Sequence, residues 1–235
     1  MTVSLAPPKI AKPIKKKQKT STPPPVQSPV QSSAQPEPST PYVAYLRAAD
    51  EHPLLRVELI QEKIHMSPAP RPKHQRIAMS LSFLLRAFLK DHDIGLILAS
   101  PIDVILSPRR TVVQPDLVFV AKDRIETLLT DTAIVGAPDM VVEILSPSTA
   151  QIDRTSKRQT YAEHGVSEYW LVDVDAQILE LHILSEGRYT VAGAYTPFDI
   201  IDVGLFAEAR IPVAEIWAGF EIIQPDPENS GIRSE

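Results

Sequence analysis

The segment 139–174 places the strongest constraint on how this chain can fold. It contains two runs typical of buried strands, DMVVEIL and EYWLVDV, and residues 149–164 between them have helical character, with Gly165 at the expected end. Upstream, residues 73–91 carry apolar side chains at helical spacing along one face. One long early helix and one helix between central strands predict an α/β fold with a central mixed β-sheet flanked by α-helices.

Further strands are predicted on both sides of this segment. Two lie early in the chain, within LLRVELI (54–60) and KIHM (63–66), and two lie late, within QILELHIL and YTVAGAY. Before the central segment, ILASPIDVILS and TVVQPDLVFV are each predicted to form one strand, joined by a turn at SPRR. The folded region ends with IPVAEIWAGF (211–220), whose apolar residues we expect to be exposed and to support a homodimer.

Proline content marks off the N-terminal segment. Residues 1–41 hold ten of the 23 prolines together with Ser, Thr, Gln and Lys. Such a composition cannot bury enough apolar surface to offset the entropy lost on ordering. We therefore predict a disordered Lys/Pro-rich tail over 1–41, one folded domain over 42–222 and a flexible C-terminal tail over 223–235.

Composition and charge exclude several classes of site. The chain has no cysteine, which rules out disulfides, thiolate metal sites and a cysteine nucleophile. No apolar stretch approaches the roughly 18 residues of a membrane span, so we expect a cytoplasmic protein without membrane association. Residues 1–40 carry six lysines and one acid, a net charge of +5; because the whole chain carries −5, residues 41–235 carry −10. This acidic body argues against broad, non-specific attraction to nucleic acid.

Three charged residues form a pattern with chemical meaning. Glu143 lies in the middle of the apolar run VVEIL, and Asp116 begins the apolar strand in QPDLVFV. A charge buried in such a strand is costly unless a partner compensates it. Two acids on neighbouring buried strands repel each other unless a cation lies between them, and Mg²⁺ is commonly held by one or two carboxylates. Lys157, on the helix that follows, would add positive charge where a phosphoryl transition state gathers negative charge.

A structural interpretation of the same residues is also open. Asp116 could cap a turn after its proline, and Lys157 could be a solvated helix residue. Glu143 could form a structural ion pair with Arg154 or Arg158. Taken jointly, an acid after proline, an acid inside a strand and a lysine on the next helix favour a metal-dependent active site.

In three motifs the chain resembles the "putative restriction endonuclease" family of the PD-(D/E)XK nuclease-like superfamily: MSPAPRPKHQRI, VVQPDLVFV and APDMVVEILSPSTAQIDRTSKRQTYAEHGVSEYWLVD. The resemblance covers about residues 42–220. It implies a restriction-endonuclease-like fold, dependence on Mg²⁺ or Mn²⁺, and hydrolysis of DNA phosphodiester bonds. The superfamily lysine is absent from its usual place two residues after Glu143, where Leu145 stands, and Lys157 matches a lysine that replaces it on the following helix.

The resemblance also implies roles for other residues. Asp116 and Glu143 match the acids that bind the metal. Glu58 matches the early acid of the superfamily, and His74 matches a family histidine at the start of the long helix, where it would act as a base or contact phosphate. The turn after ELI departs from the family pattern, because QEK (61–63) replaces the usual Asp/Asn-Gly.

Three neighbouring side chains complete the set of candidates. Asp103 could join the acidic cluster, and Tyr161, one turn beyond Lys157, could pack over it. Arg154 could help to neutralise a bound phosphate. The sequence thus predicts a Mg²⁺-dependent endonuclease acting on DNA; the alternative is a nuclease-fold protein without turnover that serves as a binding or assembly module.

Overall fold

The computed structural model describes residues 40–224, and all but the innermost residues of the two predicted tails lie outside that range. Two sheets dominate it. The first sheet contains β1 (Arg56–Ile60), β2 (Lys63–Ser67), β4 (Asp103–Ser107), β5 (Thr111–Val113) and β7 (Ala133–Val135). The second sheet contains β3 (Gly95–Ala99), β6 (Leu117–Ala121), β8 (Met140–Ile144), β9 (Glu168–Asp173), β10 (Ile178–Ser185) and β11 (Arg188–Tyr195). A short pair, β12 (Ile200–Ile201) and β13 (Ile211–Pro212), stands apart.

Both sheets are mixed. The first has the order β2-β1-β5-β4-β7, and only β4 and β7 run parallel within it. The second has the order β11-β10-β9-β8-β6-β3, and only β8 and β9 run parallel. Parallel neighbours need a crossover connection, which explains the helical segment that joins β8 to β9.

Helices surround the sheets. They are α1 (Pro41–Glu51), α2 (Pro72–Asp91), α3 (Ile125–Leu128), α4 (Ala150–Ile152), α5 (Arg158–His164) and α6 (Val213–Ile216). A π-helical turn over Asp153–Lys157 joins α4 to α5, so the crossover is one helical stretch over 150–164. It ends at Gly165, whose φ of 83° is the left-handed conformation that glycine adopts readily.

The second sheet is covered on both faces. On one face, Ile77, Leu81 and Leu85 of α2 are fully buried against the strands. On the other face, Val141 and Tyr169 belong to a cluster that includes residues of the first sheet and of the 150–164 helix. A mixed sheet flanked by helices, as predicted, is therefore confirmed.

The prediction of one strand each for ILASPIDVILS and TVVQPDLVFV is wrong. Each stretch makes two strands, one in each sheet: β3 and β4 from the first stretch, β5 and β6 from the second. Pro101 and Pro115 lie at the two breaks, and proline cannot donate a backbone hydrogen bond to a sheet ladder. Each proline therefore marks the point where the chain passes from one sheet to the other.

The expected exposed patch near the C-terminus is also wrong. Ile211, Val213, Ile216 and Trp217 are at most 2% exposed and belong to the core cluster around α2. The apolar character of IPVAEIWAGF therefore reflects core packing, and it gives no support to a homodimer.

Two ordered contacts lie just outside the predicted domain bounds of 42–222. Thr40 caps α1, its hydroxyl accepting from the backbone N–H of Val43, and Pro41 is the first residue of that helix. The backbone N–H of Ile223 donates to the side chain of Gln177. Among residues 40–224, no helix is long and apolar enough to cross a membrane.

Candidate active site

Lys157 and Glu143 form a fully buried ion pair. Each side chain is 1% exposed, and Nζ of Lys157 donates to Oε1 of Glu143 at 3.0 Å. The hydroxyl of Tyr161, one turn further along the helix, donates to the same oxygen at 2.6 Å. Lys157 is therefore the partner of the buried glutamate and is not a solvated surface residue.

Lys157 is the last residue of the π-helical turn, directly before α5 begins. π-helical turns are rare, and they recur at functional sites. Within this turn Asp153, itself 1% exposed, places Oδ1 3.5 Å from Nζ of Lys157. The ammonium of Lys157 is thus contacted by a carboxylate of its own helical stretch as well as by Glu143 of β8.

Glu58 reaches the same ammonium from the first sheet. Its Oε1 lies 2.8 Å from Nζ of Lys157 and accepts from the backbone N–H of Gln114 at 2.7 Å. The β1–β2 hairpin that carries Glu58 closes at Gln61 and Glu62, whose φ angles of 49° and 67° are left-handed. Such two-residue turns favour Asn-Gly, so this chain forms the tight hairpin with less suitable residues.

Asp116 lies beside the end of the strand that carries Glu143. Its backbone N–H donates to the carbonyl of Val142 at 3.0 Å, and its Oδ2 accepts from the backbone N–H of Ile144 at 2.7 Å. These two bonds fix the Asp116 carboxylate at the backbone of β8, at the residue that follows Glu143.

Two basic side chains hold Asp116 from the other side. A guanidinium nitrogen of Arg56 lies 2.6 Å from Oδ1, and Nε2 of His74 lies 3.0 Å from Oδ2. Arg56 begins β1, and His74 lies in the first turn of α2. The structure therefore gathers into one cluster the candidate residues predicted from the sequence: Asp116, Glu143, Lys157, Glu58 and His74.

The two acids differ in proton affinity. Burial alone would raise the pKa of Asp116, but the hydrogen bond from His74 and the charge of Arg56 outweigh it and lower the pKa to about 2. Burial raises the pKa of Glu143 to about 8, because the opposing effect of Lys157 is smaller and nearby acids add to the rise. Asp116 is therefore ionised at neutral pH, while Glu143 holds a proton more readily.

Lys157 remains charged despite its burial. Removal from water would lower its pKa, but the negative charges of Glu143, Glu58 and Asp153 raise the pKa above its ordinary value. The cluster contains more buried acids than permanent cations. The acids are Glu58, Asp116, Glu143 and Asp153, and the permanent cations are Arg56 and Lys157.

Three members of the cluster carried a signal that the sequence interpretation missed or misjudged. Arg56 stands two residues before Glu58, and alternate residues of a strand share a face. Asp153 precedes Lys157 by four residues, the spacing of a helical ion pair. Tyr161 was expected to pack over the lysine, and it instead donates a hydrogen bond to Glu143.

Two arginines lie elsewhere. Arg154 pairs with Asp173 and Glu180, and Arg158 donates to the carbonyl of Tyr189. The alternative pairing of either arginine with Glu143 is therefore wrong. Arg154, which was expected to help neutralise a bound phosphate, is already paired with the carboxylates of Asp173 and Glu180.

Asp103 lies at the margin of the cluster. It accepts from the hydroxyl of Tyr45 and from the side-chain amide of Gln114, whose backbone N–H binds Glu58. Asp103 thus supports the loop next to the site and makes no ion pair with Lys157 among the contacts of residues 40–224.

Two cavities open beside the Asp116 end of the cluster. A groove of about 790 Å³ runs along α2, with the exposed side chains of Leu54, Met79 and Phe83 on its walls and Asp116 and His74 at its base. A smaller pocket of about 310 Å³ shares Arg56 and His74 with this groove. Asp116 can therefore be reached from solvent although it is itself buried.

Comparisons with known proteins identify the family and the fold. Residues 42–214 match the model of the Uma2 family, described as "putative restriction endonuclease". The chain is also similar to the crystal structure of "a putative nuclease belonging to DUF820" from Anabaena variabilis, with a TM-score of 0.57 and 23% identity over 69% of this chain and 89% of that chain. At this identity the likeness shows a shared fold. Comparison with curated proteins gives no match.

Proposed function

This chain belongs to the Uma2 family of "putative restriction endonucleases", and we propose that it is a divalent-metal-dependent nuclease that hydrolyses DNA phosphodiester bonds. The observation that carries the proposal is the buried Lys157, bound to Glu143 and Glu58 beside the carboxylate of Asp116. If the cluster were purely structural, its buried acids would outnumber the cations that pair with them. Such an arrangement is unfavourable, because burying an unpaired charge is costly.

The donor set fits a hard divalent cation. The excess of buried carboxylates over permanent cations would be compensated by Mg²⁺ or Mn²⁺, and oxygen is the ligand that Mg²⁺ prefers. Within residues 40–224, no group of three or more His, Asp or Glu side chains is arranged to hold a metal. We propose that Asp116 and Glu143 would hold the ion as a pair, with water and phosphate oxygens completing its coordination. When bound, the metal supplies an activated water and neutralises phosphate charge.

The chain's own residues would act by fixed charge. Lys157 is held in place by Glu143 and Glu58, so its ammonium can stabilise negative charge on a phosphoryl group without reorganising during the reaction. Arg56 and His74 keep Asp116 ionised and oriented. His74 also lines both cavities, where a phosphate could approach it.

One observation favours the second candidate, a nuclease-fold binding module without turnover. Residues 41–235 carry a net charge of −10, which weakens non-specific attraction to DNA. The same acidic surface is compatible with a nuclease if DNA contacts are confined to the cleft around His74.

Cleavage assays separate the two candidates. Supercoiled plasmid and labelled duplex DNA are incubated with the full chain in Mg²⁺, in Mn²⁺ or in EDTA. We expect nicking that requires metal and disappears in Glu143→Gln, with loss of the Mg²⁺ signal in calorimetry. Glu163→Gln, on the same helical stretch as Lys157 but exposed to solvent, serves as the matched control. DNA binding without cleavage by the wild type in either metal would support the binding module.

A further inference from the structure

A small pocket is lined by residues at the start of α2 and by the turn that follows β8. It has a volume of about 310 Å³, and the turn contributes Ser146, Ser148 and Thr149 to its wall. Arg56, Arg71 and His74 also line it. Hydroxyl, guanidinium and imidazole groups therefore face one small space next to Asp116.

The helix that borders the pocket has no cap of its own at this end. Arg71 occupies the N-cap position, its side chain makes no capping hydrogen bond, and the first turn contains no acid. The first N–H groups of a helix have no partner within it, and the helix dipole gives that end a partial positive charge. In this 20-residue helix, Pro72 has no N–H and the N–H of Gln75 donates to the carbonyl of Arg71. The N–H groups of Lys73 and His74 are the donors left at the end that borders the pocket, a pattern found at anion sites.

His74 provides a second, independent indication of a ligand. The residue is only 9% exposed and lines the pocket, and its Nε2 is bound to Asp116. Its Nδ1 is buried without a hydrogen-bond partner among residues 40–224. Buried polar atoms normally have partners, so this nitrogen can take a partner from outside the chain. Because Nε2 is bound to Asp116, Nδ1 donates to a phosphate oxygen when the ring carries a proton on both nitrogens.

The side chains around the pocket favour an anion such as phosphate over a metal ion. The linked hydroxyls of Ser146, Ser148 and Thr149 line it together with Arg71, an exposed arginine. Phosphate oxygens accept from hydroxyls, backbone N–H groups and guanidinium together. A cation would instead meet the positive end of α2 and two arginines.

We propose that this pocket binds a phosphate group of the nucleic-acid backbone adjacent to the phosphodiester that is cleaved. The identity of the ligand as nucleic acid rests on the proposed function; the anion site itself does not. Because the pocket shares His74 and Arg56 with the acidic cluster, a phosphate held there would fix the register of the strand against Asp116. The turn SPST (146–149) would then line one part of a substrate-binding subsite.

Two binding measurements with the full chain test the pocket, both in EDTA so that cleavage plays no part. In the first, labelled duplex DNA is titrated with wild type, Arg71→Ala and Arg47→Ala. Arg47 is an exposed arginine of α1 outside the pocket lining, so its variant removes the same charge elsewhere. We expect Arg71→Ala to weaken binding about tenfold, as for one lost charge-assisted contact, and to reduce the salt slope by about one. Arg47→Ala should bind as the wild type does.

In the second measurement, inorganic phosphate is titrated while backbone amide resonances are followed by NMR. The amides of Lys73, His74 and Ser148 should shift in the wild type and in Arg47→Ala, and much less in Arg71→Ala. Equal weakening of DNA binding by both variants, or no shifts with phosphate in the wild type, would overturn the pocket. Phosphate binding in a protein that cuts no DNA would instead overturn the nuclease and leave the pocket standing.

Discussion

Glu143 couples the stability of this protein to pH. Burial raises the pKa of Glu143 from 4.5 to about 8. Between pH 4.5 and pH 8, the glutamate is therefore protonated in the folded state and ionised in the unfolded chain. The stabilising contribution of that proton is fully present below about pH 4.5 and is lost as the pH rises through 8. In EDTA, we expect the melting temperature of the wild type to fall from pH 5 to pH 9, and Glu143→Gln to show a weaker fall.

Thermal unfolding followed by circular dichroism in a series of buffers measures this effect. Glutamine resembles the protonated glutamate in shape and cannot ionise, so the two proteins should be most alike at low pH. Glu163→Gln, exposed on α5, should retain the wild-type slope. An unchanged slope in Glu143→Gln would show that another group carries the pH dependence.

We expect Lys157 to contribute to stability and, under the proposed function, to catalysis as well. Its removal leaves Glu143, Glu58 and Asp153 without their shared cation, and breaking a buried pair costs about 3–5 kcal/mol. We expect Lys157→Ala to lower the free energy of unfolding by about that amount at pH 8, measured by urea denaturation, and by less at pH 5, where carboxylates take up protons. Lys122→Ala removes an exposed ion pair with Asp93 and should cost at most about 1 kcal/mol.

The catalytic effect of the same substitution is separable from its effect on folding. Below the melting temperature of the variant, Lys157→Ala should cut metal-dependent DNA cleavage by about 10²–10³-fold if the ammonium stabilises transition-state charge. Cleavage at the wild-type rate by a folded Lys157→Ala protein would leave the lysine with a structural role only.

At the scale of elements, the sequence indicated which segments are regular but not how they join. Hydrophobic periodicity gave α2 and the 150–164 helix almost to the residue, because each buries one face. The same signal could not separate β3 from β4 or β5 from β6, because both members of each pair are apolar and only Pro101 and Pro115 divide them. The π-helical turn at Lys157 was not predictable, since one widened turn barely alters an apolar pattern.

The β1–β2 hairpin can be stabilised by residues suited to its turn. Gln61 and Glu62 both adopt left-handed φ angles, which cost non-glycine residues of order 1 kcal/mol, whereas Asn-Gly fits such a turn. Replacing the pair by Asn-Gly loses the exposed contact of Glu62 with Arg110, worth well under 1 kcal/mol. We therefore expect Gln61→Asn with Glu62→Gly to increase stability by about 1 kcal/mol in urea denaturation. A loss of stability would mean that the Arg110 contact outweighs the backbone strain.

At the scale of the whole molecule, the candidate site joins two sheets. Glu58 and Arg56 come from the first sheet, Glu143 from the second, and Lys157 from the helix that crosses between β8 and β9. The residue pattern brought Asp116, Glu143 and Lys157 together as a set, and the resemblance to a family added Glu58 and His74. Arg56 was missed because its partner Asp116 lies 60 residues away, and only the meeting of the sheets brings the two together.

The N-terminal segment offers the last test, because its charge opposes that of the body. Residues 1–40 carry +5 and residues 41–235 carry −10, while residues 1–39 lie outside the described range. We expect deletion of residues 1–39 to leave the melting temperature unchanged and to weaken DNA binding at low salt, because six lysines are lost. The slope of log affinity against log salt should fall by about 0.9 for each phosphate that those lysines contact.

The end point of the deletion matters, because Thr40 caps α1 through the backbone N–H of Val43. Deleting residues 1–41 removes this cap and the first helical residue, which should cost about 1 kcal/mol. The shorter deletion should therefore melt as the full chain does, while the longer one melts at a lower temperature, and both should lose the same DNA affinity because they remove the same lysines. If the melting temperature of the shorter deletion falls by many degrees, the segment packs on the body. Its lysines would then belong to the fold and would not form a separate contact for DNA.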